Sequence, residues 1–260
     1  MSNSLVTLVI GLGEIGNPIF NLISKKNGLV RSVDILPVEI KDSVGVMHIC
    51  YPFQVPNGFV QTTSAYAMKY KPQVIVINST VTPGTTEGIE KASGIPVVYS
   101  PVRGKHTRME AELLHYQKFI AGTNENAVNI VKSHFIAIGM KTKVISSPRT
   151  LELAKLLETT YFGLMIAWAQ EMNRFAVQVD GNYFELAQFF EEISYLPPVV
   201  FQPGFIGGHC VMPNIELLKM KFDSKFLDAI KNSNRHRAKE LSSEEELKLR
   251  IEPLNLKPVT

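Results

Sequence analysis

The apolar run LVTLVI at Leu5–Ile10, followed at once by GLGEIG, constrains this chain more than any other stretch. A near-continuous apolar run reads as a central parallel strand covered on both faces. Gly11, Gly13 and Gly16 then stand in a G-x-G-x-x-G pattern around Glu14 and Ile15, and Asn17–Lys25 reads as a helix. Val30–Leu36 reads as a second strand with Asp34 near its end, 18 residues after Gly16. A lone glycine pattern says little. One set between a strand and a helix, with an acid roughly 20 residues on, is the arrangement that binds a dinucleotide. The glycines make a tight turn, let backbone approach a pyrophosphate and bring the helix close, while the acid takes a ribose hydroxyl. Asp34 favours NAD over NADP, because its charge repels a 2′-phosphate. The predicted cofactor loop is therefore Gly11, Gly13, Glu14, Ile15 and Gly16, with Asp34 across from it. Glu14 must point away from the phosphates, since a carboxylate there weakens binding.

The alternation continues. Val44–Cys50, Gln73–Asn78 and Ile95–Tyr99 read as strands, with a helix at Thr62–Tyr70 between the first two. Short strands at Lys118–Gly122 and Lys143–Ser146 flank a helix at Glu125–Ile138. The fold class is α/β: a doubly wound, Rossmann-type parallel sheet over residues 1–147. Ligands of such sheets bind at the carboxyl ends of strands. Tyr51 and Pro52 end the third strand, and Ser79 and Thr80 open the hydroxyl-rich STVTPGTT segment after the fourth. These four residues read as further cofactor contacts. Ser and Thr there fit a plain turn and helix cap equally well.

The pattern changes at Ser147-Pro148, a helix start with Ser as cap and Pro at the first position. Leu153, Leu157, Tyr161, Leu164, Trp168, Met172 and Phe175 follow at steps of three or four. They predict one helix of about 30 residues, roughly 45 Å long. It is apolar nearly all round between Tyr161 and Ala169, as a helix buried between domains or subunits would be. Lys155 and Thr159 share one of its faces. Asn182–Tyr195 reads as another helix, stopped by Pro197-Pro198, and Ser224–Leu241 as a last amphipathic one. Residues 148–241 thus form a small all-helical domain and 242–260 a charged tail. Within that domain QPGFIGGHCVMPN places Cys210 after Gly207, Gly208 and His209, with Pro213 opening a short helix. A helix N-terminus favours the thiolate. A free cysteine is otherwise a small buried hydrophobe.

Bulk properties exclude other classes. Net charge is +3 with Lys and Arg scattered, not the basic stripe of a nucleic-acid binder. Two cysteines, Cys50 and Cys210, make no disulfide framework, which fits a reducing, cytoplasmic setting. No apolar run approaches about 18 residues, so no membrane span is predicted. The six histidines show no ligand spacing, so no metal site is predicted.

In this order the segments resemble the UDP-glucose/GDP-mannose dehydrogenase family, and most closely its branch acting on UDP-N-acetylhexosamines. GLGEIG fits the nucleotide loop, STVTPGTT the ST-V/PGTT segment, and SPVRGKH sits where that branch has an SPER-like segment. KLLETTYFGLMIAWAQEMNRF looks like its KLLENTYRxxxIAxxNE helix and PGFIGGHCVMPN like its PGxGGHCIPxD loop. The resemblance implies oxidation of a nucleotide-sugar primary alcohol by NAD through a covalent thioester. Cys210 would be the nucleophile and Lys155 the cation that stabilises the alkoxide. Thr159 and Asn214 would complete the catalytic group. Arg103, Gly204, Phe205, Gly207, Gly208 and His209 would meet the substrate. The 149–178 helix would join a homodimer. The sequence shows no counterpart of the family's third domain, which grips the substrate nucleotide.

Three departures bear on the chemistry. The glutamate of the SPER-like segment is Val102, the asparagine of KLLENT is Thr159, and the aspartate four residues after the cysteine is Asn214. Val cannot titrate and Asn is not a base. General-base help is typically worth 10²–10⁴-fold, so thioester hydrolysis is the step expected to suffer. Three readings follow: a dehydrogenase using Cys210 and Lys155, a single-step hydride-transfer enzyme without a covalent intermediate, and a non-catalytic NAD-binding scaffold.

Overall fold

A computed structural model describes residues 5–243 except 27, 36–37, 55–57, 192, 195 and 197–200. The chain divides into two compact units, Met1–Leu156 and Leu157–Thr260.

The first unit is a seven-stranded sheet with helices on both faces. Its strands are β1 (Val6–Ile10), β2 (Val30–Val33), β3 (Val44–Ile49), β4 (Val74–Ile77), β5 (Val97–Tyr99), β6 (Lys118–Gly122) and β7 (Thr142–Val144), in the order β2-β1-β3-β4-β5-β6-β7. Alternate residues separate the core into two layers. Val9, Val74 and Val76 pack with Ile19, Ile23, Val131 and Phe135, and Leu8, Ile10, Ile75 and Ile77 pack with Phe59, Ala67 and Ile89. Both faces are covered, which is why these strands read as unbroken apolar runs. The helices are α1 (Gly16–Lys25), α2 (Phe59–Tyr70), α3 (Thr85–Ser93), α4 (Met109–His115) and α5 (Glu125–Ala137). Chain order reverses between β1 and β3, and a sheet of this kind binds its ligand at that point.

The sheet is not wholly parallel. β5 and β6 pair antiparallel. The connection 100–117 stays at one edge, where α4 is tied to α1 by Glu110 bonding Asn21 and Lys25. The chain therefore re-enters the sheet from the edge it left. Neither α4 nor the 3₁₀ turn at His106–Arg108 has a clear periodic signal. Other boundaries shift by a few residues: α2 begins at Phe59 rather than Thr62, and β7 spans Thr142–Val144.

A 31-residue helix, α6 (Pro148–Gln178), runs from the first unit into the second. It matches the predicted length, but its middle is not enclosed all round: Tyr161 and Trp168 are 53% and 50% exposed. The second unit adds α7 (Tyr183–Glu191), α8 (Val211–Lys219) and α9 (Lys225–Ser243). α7 is shorter than predicted, and the proposed stop at Pro197-Pro198 lies outside the described residues, as do positions 244–260 of the tail. α8 begins two residues before Pro213, whose missing N–H falls in the first turn, where no intrahelical partner exists. No helix of the described residues is long and apolar enough to cross a membrane.

Candidate active site

In the first unit the three loop glycines do three different jobs. Gly11 has φ +88°, and a Cβ there would lie 3.0 Å from the Tyr51 nitrogen. Its own N–H donates to Val33 O at 2.8 Å, tying the end of β1 to β2. A Cβ on Gly16 would lie 1.7 Å from Gly11 O and 3.2 Å from Cys50 Cβ, so only glycine lets α1 start this close. Gly13 is exposed, and a Cβ there would meet nothing within 4 Å. The space over Gly13 is what an approaching phosphate needs, and α1 begins just beyond it, after Ile15. Asp34 is exposed one residue past β2, at the same edge. Glu14 turns its carboxylate to His106 Nδ1 at 2.5 Å. The residues present thus fit a dinucleotide.

The neighbouring loops are pinned from below. The Ser79 hydroxyl donates to Tyr51 O at 2.6 Å, so this side chain joins the loops after β3 and β4. The Tyr51 hydroxyl shares a 2.5 Å bond with Thr63, and burial raises its pKa. Pro52 is exposed and Thr80 half-buried. Arg103 donates to Gln117 O at 2.9 Å and lies over the rings of Phe119 and Tyr116. Val102 is buried in the core.

The STVTPGTT segment is not capped by its own hydroxyls. Glu152, a fully buried residue of α6, accepts from Gly84 N at 2.6 Å, Thr86 N at 2.8 Å and the Thr86 hydroxyl at 2.6 Å. Burial pushes its carboxyl pKa up, against three donors that favour the charge. Sequence reasoning missed Glu152. Its one signal is an acid three residues before Lys155, about one turn away on the same helix. Lys155 itself is half-buried.

In the second unit Cys210 is half-buried and immediately precedes α8, with Gly208 before it at φ +73°. α8 can lie close to α6 because Gly163 is there: a Cβ on it would sit 2.5 Å from Val211 Cγ1. The loop leading to Cys210 is held by side chains from other helices. Gln170 donates to Gly204 O at 2.6 Å. Asn234 accepts from Ile206 N at 2.7 Å and donates to Ile206 O at 3.1 Å. Gln170 also accepts from Ser233 at 2.8 Å. Phe205, Gly207, Gly208 and His209 are exposed. Two of the departures from the family pattern meet: Asn214 Nδ2 donates to Thr159 Oγ1 at 2.9 Å. None of Gln170, Ser233, Asn234 or Gly163 was marked by the sequence, since each resembles an ordinary helix residue until its partner is known.

Residues 149–236 match the UDP-glucose/GDP-mannose dehydrogenase family, central domain, a span that holds Lys155, Thr159, Cys210 and Asn214. The chain is 30% identical over 145 residues to the UDP-N-acetyl-D-mannosamine dehydrogenase of Methanocaldococcus jannaschii, covering 53% of this chain and 33% of that protein. The match to the enzyme of that name from Pyrococcus horikoshii is 29% over 157 residues, 56% of this chain and 37% of that protein. The matched stretch thus spans about a third of these relatives' length. In three dimensions the fold is that of a UDP-D-ManNAc dehydrogenase from Pyrococcus horikoshii, with a TM-score of 0.79 at 20% identity, over 92% of this chain and 70% of that one. A UDP-glucose dehydrogenase from Pyrobaculum islandicum gives a TM-score of 0.78 at 17% identity, over 95% and 72%.

Proposed function

We propose that this protein is a cytoplasmic NAD-dependent oxidoreductase that oxidises an alcohol or aldehyde, of a nucleotide sugar or a sugar-like substrate, in the manner of UDP-sugar dehydrogenases. One observation carries the reading: a nucleotide loop open over Gly13 stands in one chain with a family central domain that retains Lys155 and Cys210. A bound NAD would supply the hydride acceptor for the substrate carbon. Gly11, Gly13, Gly16 and Asp34 hold the dinucleotide. The Lys155 ammonium stabilises the developing alkoxide. The Cys210 thiolate would add to the aldehyde carbon, a second molecule of oxidised NAD would be the acceptor for that carbon's remaining hydride, and water would cleave the resulting thioester to the acid and the free thiol. Arg103 and the loop Gly204–His209 contact the substrate.

The test follows reduced cofactor with NAD and UDP-N-acetylmannosamine, UDP-N-acetylglucosamine or UDP-glucose. Turnover that Cys210→Ala and Lys155→Ala abolish is the expected result. A folded protein with no turnover on any of them sinks the enzyme reading and leaves the NAD-binding scaffold, and turnover that survives Cys210→Ala sinks the covalent route.

A second reading has its own support in the Asn214–Thr159 pair and the buried Val102, none of which is a base. In it the enzyme performs one hydride transfer with no covalent intermediate. Mass spectrometry separates the two, because a trapped thioester on Cys210 or an acid product excludes this version.

Self-association fits the exposed apolar stripe of α6, where Leu157, Tyr161, Trp168 and Phe175 recur at helical steps. We read it as the face of a homodimer. Sedimentation of Trp168→Glu should give a monomer if the wild type is a dimer.

A further inference from the structure

Under the carboxyl edge of the sheet, inside the first unit, lies a buried polar cluster that the proposed chemistry does not use. Lys118 opens β6 and is 3% exposed. Its ammonium donates to Asn78 Oδ1 at 3.2 Å, Ser100 O at 2.5 Å and Pro101 O at 3.0 Å. Asn78 in turn lies 3.1 Å from His48 Nδ1 and 3.7 Å from Cys50 Sγ. His48 Nε2 is 3.0 Å from His134 Nε2. Lysine is almost never fully buried unless it is paired. Here its three partners are an amide and two carbonyls, all neutral, and they match the three donors of an ammonium one for one.

The place of these oxygens gives the cluster a use. Asn78 immediately precedes Ser79 and Thr80 after β4, and Ser100 and Pro101 immediately precede Val102 and Arg103 after β5. One cation therefore joins the two loops at the ligand-binding edge. We propose that the charged form of Lys118 is a clamp that sets these loops for the cofactor, a positioning residue whose deprotonation loosens NAD binding. The inference rests on the cofactor reading above.

The surroundings make the clamp titratable. Burial pushes the Lys118 pKa down to about 7, with the charges of Lys155 and Arg103 adding to the effect and Cys50 opposing it. The other groups facing it stay in one state near neutrality. Burial keeps His48 well below the usual histidine range, holds His134 at about 4 and pushes Cys50 up to about 12. A neutral amine has two hydrogens and a lone pair to set against three oxygens, so deprotonation leaves one oxygen facing that lone pair.

The experiment is calorimetric NAD binding by the full chain between about pH 6 and pH 9, with Lys118→Arg and Lys118→Met alongside and melting curves to establish folding. In the wild type, affinity should fall by up to about tenfold per pH unit above about pH 7, the limit for a site that needs one proton bound. Lys118→Arg should bind with no such slope, and Lys118→Met should bind weakly at every pH. A flat wild-type profile, or an unchanged slope in either folded variant, overturns the clamp. Amide-exchange protection at residues 79, 80, 102 and 103 of the wild type should fall over the same window. Constant protection overturns the clamp even if neither variant folds. Absence of NAD binding by folded wild type at any pH instead overturns the cofactor reading itself.

Discussion

Two glycine-rich loops carry the proposed chemistry, and they are held in opposite ways. Gly11–Gly16 is shaped by backbone: an N–H to Val33 O, a positive φ at Gly11, and an α1 start that tolerates no Cβ at Gly16. The Gly204–Cys210 loop is shaped by side chains, with Gln170 from α6 and Asn234 from α9 satisfying the Gly204 and Ile206 backbone. A loop built from main chain and missing Cβ atoms leaves a mark in sequence. A loop hung on distant amides does not.

Substitutions can break this comparison, and the largest effect belongs to the first loop. Gly16→Ala places a Cβ 1.7 Å from a backbone oxygen, where nothing flexible can yield. It should cost ~3 kcal/mol or more by denaturant unfolding and abolish NAD binding. Next is the second loop: Asn234→Ala leaves the buried Ile206 N–H and C=O without their partner. About 2–3 kcal/mol is expected, together with altered thiol-labelling kinetics at Cys210. If Asn234→Ala is neutral in both, side chains do not hold that loop.

Acid should act on the first unit through the buried His48 and the half-buried His134. Burial lowers the His134 pKa to about 4 and lowers that of His48 as well. Between the ordinary histidine value near 6.5 and the folded value, the unfolded chain binds more protons than the folded one. Stability therefore rises with pH across that window and is lost as pH falls through it, by up to about 1.4 kcal/mol per unit for each histidine. Melting temperatures from about pH 7 to pH 4 should fall accordingly, and less steeply in His134→Gln. The smallest effect on stability belongs to Gly13→Ala, whose Cβ meets nothing. It should leave unfolding within ~0.5 kcal/mol of wild type yet weaken NAD binding, because the methyl occupies the phosphate approach. Equal losses of stability in Gly13→Ala and Gly16→Ala would end the distinction between an open glycine and a packed one.

Legibility follows the same division. The alternation of strands and helices, the tight turn at the loop glycines and the 31-residue α6 were readable because each rests on local periodicity or on a residue type with one conformational use. The antiparallel entry of β6 was not, because a strand's direction depends on where the preceding connection lies rather than on its own residues. Lys118 and Glu152 carry no local signal, because a lone charge on a strand or helix is ordinarily solvated. Only the carbonyls after β5 and the start of α3 show that both are buried and bonded.

The sequence by itself determined a nucleotide-type α/β sheet, a long central helix and a cysteine at a helix start, since hydrophobic period and glycine placement act over a few residues. Tertiary structure alone decided which polar groups are buried. It paired Asn214 with Thr159, capped α3 with Glu152, suspended the Cys210 loop from Gln170 and Asn234, and set Lys118 under the cofactor edge. The physical reason is that a buried polar group is stable only beside its partner, and in these pairs the partner lies tens of residues away along the chain.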